Sequence, residues 1–336
     1  MVAMPSNRFM HMKNLSFHRH ILPSVLGAAG IFGMAPSASG VLYTADFETD
    51  PTANWASNIG PATTDAAADF FFDYSTAGIA SAPSGTGTRG LKLQANQSSG
   101  VFGGISVSPV GLALPAEYIL TFDWWANFNG PAPSGGSGST QLSTFGVATS
   151  GTVSQWPGGT TDSVWFAGSV DGNSASDWRA YSSAAPTSYT AASGVYAAGT
   201  GTSPDARNNS HPYYSSFGGI AAPAAQVALY PQQTGLTLVG SPAFEWHAVE
   251  IAKTATAITW TVDGLLIATI DPSTVTLGGN NIFFGHADTN ATSSTDVNDI
   301  HLLFTLIDNV QVIVPEPGTV SLLGLLGAAL GLRRRK

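Results

Sequence analysis

Strict alternation of apolar and polar residues in the C-terminal third is the feature that most constrains the fold. In EWHAVEIAK, at residues 245–253, His247, Val249 and Ile251 share one face and the residues between them share the other. A period of two indicates a β-strand with one buried face. The next segment, AITWTVDGLLIATID, alternates on both sides of Asp263-Gly264, a pair typical of a two-residue hairpin turn. The chain is therefore predicted to build antiparallel sheets.

Five further apolar segments are predicted strands: VLYTADFE, RGLKLQA, YILTFDWWANF, NNIFFG and LLFTLIDNVQVIV. Stripes with a helical period are absent outside the two ends of the chain. Residues 131–240 are predicted to form long Gly/Ser-rich loops around one strand–turn–strand unit, SVWFAGSVDGNSASDWRAYSS; a low-complexity linker is the alternative. We therefore predict an all-β fold for residues 41–313, a two-sheet antiparallel sandwich in one domain.

Charge and cysteine content exclude several classes of site. The chain contains no cysteine, which excludes disulfides, a cysteine nucleophile and a zinc site built on cysteines. Residues 41–313 carry five Lys and Arg against 20 Asp and Glu, a net charge of −15, whereas the whole chain carries −9. A segment with this net negative charge repels nucleic acid and anionic membranes, so we expect no nucleic-acid partner.

The N-terminal residues have the composition of a secretory signal peptide. An apolar stretch at residues 21–34 is followed by small residues at 35–40. Three cations precede it: Arg8, Lys13 and Arg19. Residues 1–40 are therefore predicted to be a signal helix that is removed on export. The basic region is long when counted from Met1, which leaves Met10 and Met12 as alternative starts.

The last 23 residues, VPEPGTVSLLGLLGAALGLRRRK, combine a proline-flanked glutamate, an apolar span and a cationic end. The uncharged residues 319–332 would form a helix about 21 Å long, which is short against a bilayer core of about 30 Å. The cations would stay on the cytoplasmic side. Residues 314–336 are predicted to be a processing signal with a short transmembrane helix at 319–332; a generic C-terminal anchor is the alternative.

The two ends together resemble the PEP-CTERM class of exported bacterial proteins. The resemblance is carried by the apolar span and by seven residues: Val314, Pro315, Glu316, Pro317, Arg333, Arg334 and Arg335. It implies processing by signal peptidase and by an exosortase, a membrane cysteine protease-transpeptidase that cleaves near Pro-Glu-Pro. It also implies passage through the inner membrane of a Gram-negative-type bacterium. The destination would be the cell envelope, cell surface or extracellular matrix, often in an exopolysaccharide or biofilm setting.

The body has a second resemblance. FEWHAVEIAKTATAITWTVDGLLIATI, at residues 244–270, is similar to the concanavalin A-like lectin and glucanase superfamily, which often shows a Trp-His strand followed by Trp ahead of Val-Asp-Gly. The resemblance implies a jelly roll in which the first and last strands lie side by side. Sugar binding is the function expected for such a fold, although fold alone does not imply function.

Catalysis is not expected. Glycosidases of this superfamily carry Glu-X-Asp-X-Glu on one strand, which supplies a nucleophile and an acid/base. The body has four glutamates, Glu48, Glu117, Glu245 and Glu250, and none of them forms this motif. The nucleophile elbow, the HExxH zinc motif and the phosphate-binding loop are also missing from the sequence. An unusual or degenerate glycoside hydrolase of the same fold is the alternative.

Two acidic groups are candidate ligands of a structural calcium ion, the one cofactor considered, because carboxylate oxygens suit this cation. Glu48 and Asp308 would meet if the terminal strands pair; hydrogen bonding that closes the sandwich is the alternative. Asp171, Asn173 and Asp177 share the DGNSASD segment, for which a plain polar turn is the alternative.

Three aromatic residues in or beside predicted loops are candidates for stacking on a glycan: Trp156, Trp178 and Tyr181. The sequence thus favours a non-enzymatic, exported surface or matrix protein whose sandwich binds polysaccharide. A glycoside hydrolase and a purely structural envelope protein remain as alternatives.

Overall fold

The computed structural model describes residues 40–61, 64–95, 102–136, 140–157, 161–182, 193–199, 206–288 and 296–315. Their strands form two sheets in which every pairing is antiparallel. The larger sheet has nine strands: β1 Gly40–Ala45, β3 Ala67–Asp73, β4 Arg89–Gln94, β6 Tyr118–Asn127, β10 Val195–Tyr196, β11 Trp246–Lys253, β12 Ile258–Val262, β13 Leu265–Ile270 and β15 Phe304–Val314. The smaller has six: β2 Trp55–Gly60, β5 Gly104–Pro109, β7 Gln141–Thr149, β8 Val164–Ser169, β9 Trp178–Tyr181 and β14 Asn281–Asp288.

Strand order shows how the chain crosses between the sheets. The larger sheet runs β10-β13-β12-β11-β6-β15-β4-β3, with β1 beside the second half of β15. The smaller runs β2-β5-β14-β7-β8-β9. Helices in the described part of the chain are short: α1 Ala224–Leu229, α2 Asp299–Leu302 and four single turns of 3₁₀-helix at 52–54, 74–77, 212–214 and 272–274. The predicted all-β, two-sheet sandwich is confirmed.

The aromatic side chains of the two inner faces interlock to form the core. Phe122 of β6 lies edge-on to Phe145 of β7 and to Phe284 of β14, with ring centroids 5.1 and 4.9 Å apart. Trp260 of β12 stacks on Phe166 of β8 at 5.2 Å. Such pairs add to the burial of their large apolar area, so they fix how one sheet lies on the other.

A small polar cluster also joins the sheets inside the core. Thr305 of β15 lies 2.6 Å from Ser143 of β7, oxygen to oxygen, and its Oγ1 lies 2.8 Å from Nδ1 of His286 in β14. The second ring nitrogen of His286 bonds Gln141 Oε1. Complete burial lowers the pKa of His286 to about 3, so this imidazole is neutral in the folded protein.

The strands predicted from alternation are found where they were expected. His247, Val249 and Ile251 are buried on one face of β11, and the hairpin of β12 and β13 turns at Asp263 and Gly264, both with positive φ. The ring nitrogens of His247 bond Asp263 Oδ2 and the Pro242 carbonyl, which satisfies this strand histidine.

The prediction for residues 131–240 was wrong in part. The strand–turn–strand unit is present as β8 and β9, but the segment also contributes β7, which pairs with β14 and β8 in the middle of the smaller sheet. The sequence of β7, QLSTFGVAT, has few large apolar residues and contains Gly146, so it lacked a strong strand signal. A Cβ at Gly146 would collide with Phe283 and Trp165 on the neighbouring strands, which explains the glycine.

Candidate functional site: a polar groove on the outer face of the larger sheet

The face of the larger sheet that points away from the core carries a groove of about 600 Å³. Alternation places it there. In β6, Leu120 and Phe122 enter the core, so Thr121 and Asp123 face outward. The floor is formed by β1, β15, β6, β11 and β12, and Asp46 after β1 and Gly264 of the hairpin turn contribute to the walls. This volume is in the range of ligand sites, about 300–1,000 Å³.

A row of polar side chains crosses this floor on five neighbouring strands. The strand registers pair the five in order: Thr44, Gln311, Thr121, Glu250 and Thr261. Each is at least partly exposed, and within the described part of the chain their side chains form no hydrogen bond. Adjacent strands lie about 4.8 Å apart, so the row extends over about 19 Å. It offers hydroxyl, amide and carboxylate groups at regular spacing to an extended ligand.

A β-bulge shapes the end of the groove next to this row. Asp308 pairs with Asp123 and Gln311 pairs with Thr121, so two residues of β15 oppose one residue of β6. Asn309 in the bulge has φ 51°, and its Nδ2 donates to Asp123 Oδ2 at 2.9 Å. Bulges redirect side chains in this way. A Cβ at position 85 would collide with the Asn309 amide, so the segment around residue 85 can approach the bulge only because this residue is glycine.

Asp123 is held by three hydrogen bonds at the base of the groove. In addition to Asn309, the backbone N–H of Ser84 donates to Oδ2 at 3.0 Å and its hydroxyl donates to Oδ1 at 2.9 Å. Only 1% of Asp123 is exposed. The carboxyl group is therefore held in a fixed position under the groove.

Asp308 lies beside Asp123 and is also buried, with 2% exposed. The Tyr74 hydroxyl donates to its Oδ2 at 3.0 Å and the Asn309 N–H donates to its Oδ1 at 2.6 Å. Burial, together with the charges of Asp123 and Glu48, raises the pKa of Asp308 to about 7. The structure thus brings Glu48 and Asp308 close enough to interact, and β1 pairs with β15 as the sequence predicted.

The donor set at this place does not fit a calcium ion. Glu48 Oε1 accepts the Arg89 N–H at 3.0 Å, and both oxygens of Asp308 accept protein donors. Across the residues that the structure describes, no group of three or more His, Cys, Asp or Glu could hold a metal ion. The hydrogen bonds that close the sandwich account for these carboxylates, and we derive no step through calcium.

Asp171, Asn173 and Asp177 form a polar turn between β8 and β9, in which the two aspartates are buried and Asn173 is exposed. Asp171 Oδ1 accepts the Ser169 hydroxyl and the Asn173 N–H, and Asp177 accepts the N–H groups of Ser174 and Asn209. Burial raises the pKa of both aspartates, that of Asp177 to about 7. These bonds tie the 206–209 segment to the hairpin, which is a structural role.

The three candidate stacking aromatics are separated in the fold. Trp178 lies in the core with none of its surface exposed, stacked on Tyr214 at 5.1 Å, and its Nε1 donates to the Gly240 carbonyl. It therefore presents no ring to a ligand. A Trp-X-X-Tyr sequence on a strand places the two rings on opposite faces, which loop composition alone did not indicate.

Tyr181 and Trp156 lie on the smaller sheet. Tyr181 stacks on Trp165 with centroids 3.9 Å apart on the face away from the core, and 3% of it is exposed. Trp156 is half-buried and meets Phe102 edge-on at 5.1 Å. Neither residue lines the groove on the larger sheet.

Of the proposed sorting motif, the structure describes Val314, the last residue of β15, and Pro315. Glu316, Pro317, Arg333, Arg334 and Arg335, the predicted span at 319–332 and the predicted signal peptide lie outside the described residues. Among the helices of the described ranges, none has the length and apolar character needed to cross a membrane.

Sequence reasoning missed the groove. Alternation did place Thr121, Asp123 and Glu250 on outward faces, and that signal was available. The row depends on which strands are neighbours and on their register, and it depends on the bulge at Asn309. None of these follows from a period of two within one strand.

Comparisons with known proteins give structural alignments at low sequence identity and no family. No protein-family model and no curated protein matches it. Among solved structures, a Bacillus subtilis protein of unknown function with a galectin-like fold aligns at 10% identity over 82% of this chain and 96% of its own, with a TM-score of 0.43. A Bacillus licheniformis beta-glucanase aligns at 10% identity over 83% and 100%, with a TM-score of 0.40. A Bacteroides ovatus endo-glucanase of glycoside hydrolase family 16 aligns at 12% identity over 80% and 99%, with a TM-score of 0.38. At these values, the alignments assign no activity to this chain.

Proposed function

We propose that this protein is an exported, non-enzymatic surface or matrix protein that binds polysaccharide in the groove of its larger sheet. The row from Thr44 to Thr261 carries the proposal. Its hydroxyls and its amide both donate and accept, and its carboxylate accepts, which complements the many hydroxyls of a sugar chain. Because the row is open and about 19 Å long, it suits the middle of an extended polymer.

The composition of the groove indicates how such binding would work. No aromatic ring other than the core residue Phe122 is among its lining residues, so contacts would be hydrogen bonds to sugar hydroxyls rather than stacking. Net hydrogen bonds contribute about 0.5–1.5 kcal/mol each in water. Binding of one short oligosaccharide would be weak, and a long polymer would gain affinity by engaging several copies of the protein at a surface.

The export half of the proposal rests on sequence. A basic and apolar N-terminus, a Pro-Glu-Pro tripeptide directly after the last strand, a short apolar span and a cationic end are the parts that such processing requires. Signal peptidase and an exosortase are the proposed processing partners. The inner membrane is the transient location, and the cell surface or matrix is the destination.

A second candidate, glycoside hydrolysis, is favoured by one observation. Asp123 and Asp308 are opposite residues on paired strands, and the pKa of Asp308 is raised to about 7, as in a carboxylic acid that donates a proton. Both carboxyl groups are buried, and their oxygens accept protein donors, including the Tyr74 hydroxyl. We therefore assign them a structural role in the proposal.

A glycan array probed with the full chain in non-ionic detergent tests the proposal. Ala248 is exposed and lines the groove beside the polar row, so Ala248→Tyr should block it and abolish polysaccharide binding. Ala252 lies on the same strand and the same face but does not line the groove, so Ala252→Tyr is the matched control and should bind as wild type does. Binding that survives Ala248→Tyr would exclude this groove, and no glycan bound at all would favour a purely structural protein. Release of reducing sugar from a bound glycan would support the hydrolase.

A further inference from the structure

Among the described residues that line the groove, acidic side chains are present and basic side chains are absent. Three carboxylates line it, those of Asp46, Asp123 and Glu250, and none of its lining residues is Lys or Arg. Within the described part of the chain, His247 forms close acid–base pairs with Glu245 and with Asp263. None of these three residues lines the groove. Asp123 is buried and hydrogen-bonded and Asp46 accepts the Glu48 N–H, so Glu250 is the carboxylate that a ligand in the groove would meet directly.

The two cations nearest in sequence to groove-forming segments are directed elsewhere. The Arg89 guanidinium donates to the Phe71 carbonyl at 2.9 Å and lies 3.9 Å above the Phe71 ring. The Lys253 ammonium donates to the Ala116 carbonyl and lies 5.8 Å from the Tyr118 ring centroid. Both side chains are held by these contacts, so neither neutralises the groove.

Two further carboxylates, those of Glu48 and Asp308, lie outside the groove lining, and Asp308 is paired with Asp123 on the neighbouring strand. The charges of Asp123 and Glu48 act on Asp308 and favour its neutral form. The acidic groups thus repel one another electrostatically, and this repulsion is what raises the pKa of a carboxyl group beside other carboxylates. An anionic polymer entering the groove would add to this repulsion.

Glu250 is the carboxylate best placed to contact a ligand. It is exposed, and it stands in the polar row directly between Thr121 and Thr261, so hydroxyl groups flank it on both neighbouring strands. A sugar ring that placed an ammonium group on this carboxylate would have hydrogen-bonding partners for its hydroxyls on either side.

We propose that the groove selects polysaccharides of amino sugars that carry free ammonium groups, over neutral polymers and against polymers of uronic acids. The inference rests on the proposed function and names the class of glycan for the same groove. One exposed ion pair changes affinity by about twofold to fivefold, and repeated ammonium groups along a polymer would multiply this preference. Salt should weaken binding, because exposed charges are screened.

The test compares three oligosaccharides of equal length with the full chain in non-ionic detergent, at a mildly acidic pH that keeps the amines protonated. The probes are a glucosamine hexamer, its N-acetylated counterpart and an oligogalacturonate, and binding is measured by calorimetry. The glucosamine hexamer should bind most tightly. Glu250→Gln should reduce that affinity by about twofold to fivefold and should reduce the affinity for the neutral hexamer by less, so that the preference for the glucosamine hexamer narrows. Glu117→Gln removes the same charge outside the groove lining and is the control that should match wild type.

The outcomes separate this inference from the proposed function. If the neutral hexamer binds as tightly as the glucosamine hexamer, or if Glu250→Gln has no effect on the latter, the charge selection is overturned and glycan binding stands. If the oligogalacturonate binds most tightly, the charge selection is likewise wrong. If none of the probes binds and the array is also negative, the proposed function fails together with the inference.

Discussion

Replacing Asp177 with Asn should remove a pH-dependent loss of stability from the folded protein. The side chain is fully buried, and burial raises its pKa from 3.8 to about 7; the charge of Asp171 acts in the same direction. The folded state therefore holds a proton that the unfolded chain releases near pH 4. A carboxyl group with a raised pKa contributes its full stability below its ordinary pKa, and this contribution is lost as pH rises through about 7.

The size of the effect follows from the shift. Each pKa unit corresponds to about 1.36 kcal/mol, so a rise of about three units corresponds to about 4 kcal/mol between pH 4 and pH 8. For a domain of this size, 1 kcal/mol moves the unfolding temperature by about 2–4 °C, which gives a difference of about 10 °C. Asn has nearly the same shape and no charge, so the variant should lack this component at every pH.

Thermal unfolding followed by circular dichroism between pH 4 and pH 8 measures this pH-dependent contribution of Asp177 to stability. The difference in unfolding temperature between Asp177→Asn and wild type should shift in favour of the variant as pH rises. Asp271 is exposed, and the Ser273 side chain and N–H lower its pKa, so Asp271→Asn is the control and should follow the wild-type slope above pH 5. Parallel curves for wild type and Asp177→Asn would refute the reasoning, because the folded state would then not bind the proton.

Four further results are expected. Burial lowers the pKa of His286 to about 3, so this residue destabilises the folded state increasingly as pH falls below about 6.5. His286→Gln should therefore reduce the loss of stability at acid pH. An unchanged dependence of stability on acid pH would contradict this. Glu316→Ala should leave the exported protein uncleaved and membrane-bound, whereas wild type loses its cationic tail; mass spectrometry showing Lys336 on both would favour a generic anchor. N-terminal sequencing of the exported protein should begin between Pro36 and Leu42, and a mature chain that retains Ile21 would exclude the proposed cleavage. Residues 41–313 produced alone should fold as one soluble β-rich domain, which helical circular dichroism or two stable proteolytic halves near residue 200 would disprove.

Local alternation was sufficient to predict most strands, because each buried face repeats every second residue. It placed Val249 and Ile251 in the core and found the Asp263-Gly264 turn, where side-chain period and turn chemistry agree. The expectation that the terminal strands pair came instead from the resemblance to concanavalin A-like proteins. Alternation failed to predict β7. Its outward positions include the small residues Thr144 and Gly146, and they are buried by neighbouring strands rather than by apolar side chains of their own.

The candidate site depends on contacts between segments far apart in the sequence. Thr44, Thr121 and Gln311 come together only because β1 and β6 flank β15, and the bulge at Asn309 sets their register. Trp178 was a candidate for stacking on a glycan because it lies beside a polar turn, with packing as the alternative, and it fills the core. Sheet order and register decide both cases, and neither is a property of a single segment.

The position of β15 has a mechanical consequence for a protein tethered through its C-terminus. This strand lines the groove at residues 309–311 and ends at Val314, directly before the proposed tail, with β6 along one side and β1 along part of the other. Tension between a polymer held in the groove and an attachment at the C-terminus would therefore pull along the strand itself. The hydrogen bonds to both neighbours would bear that load together in shear, instead of opening one after another from an end.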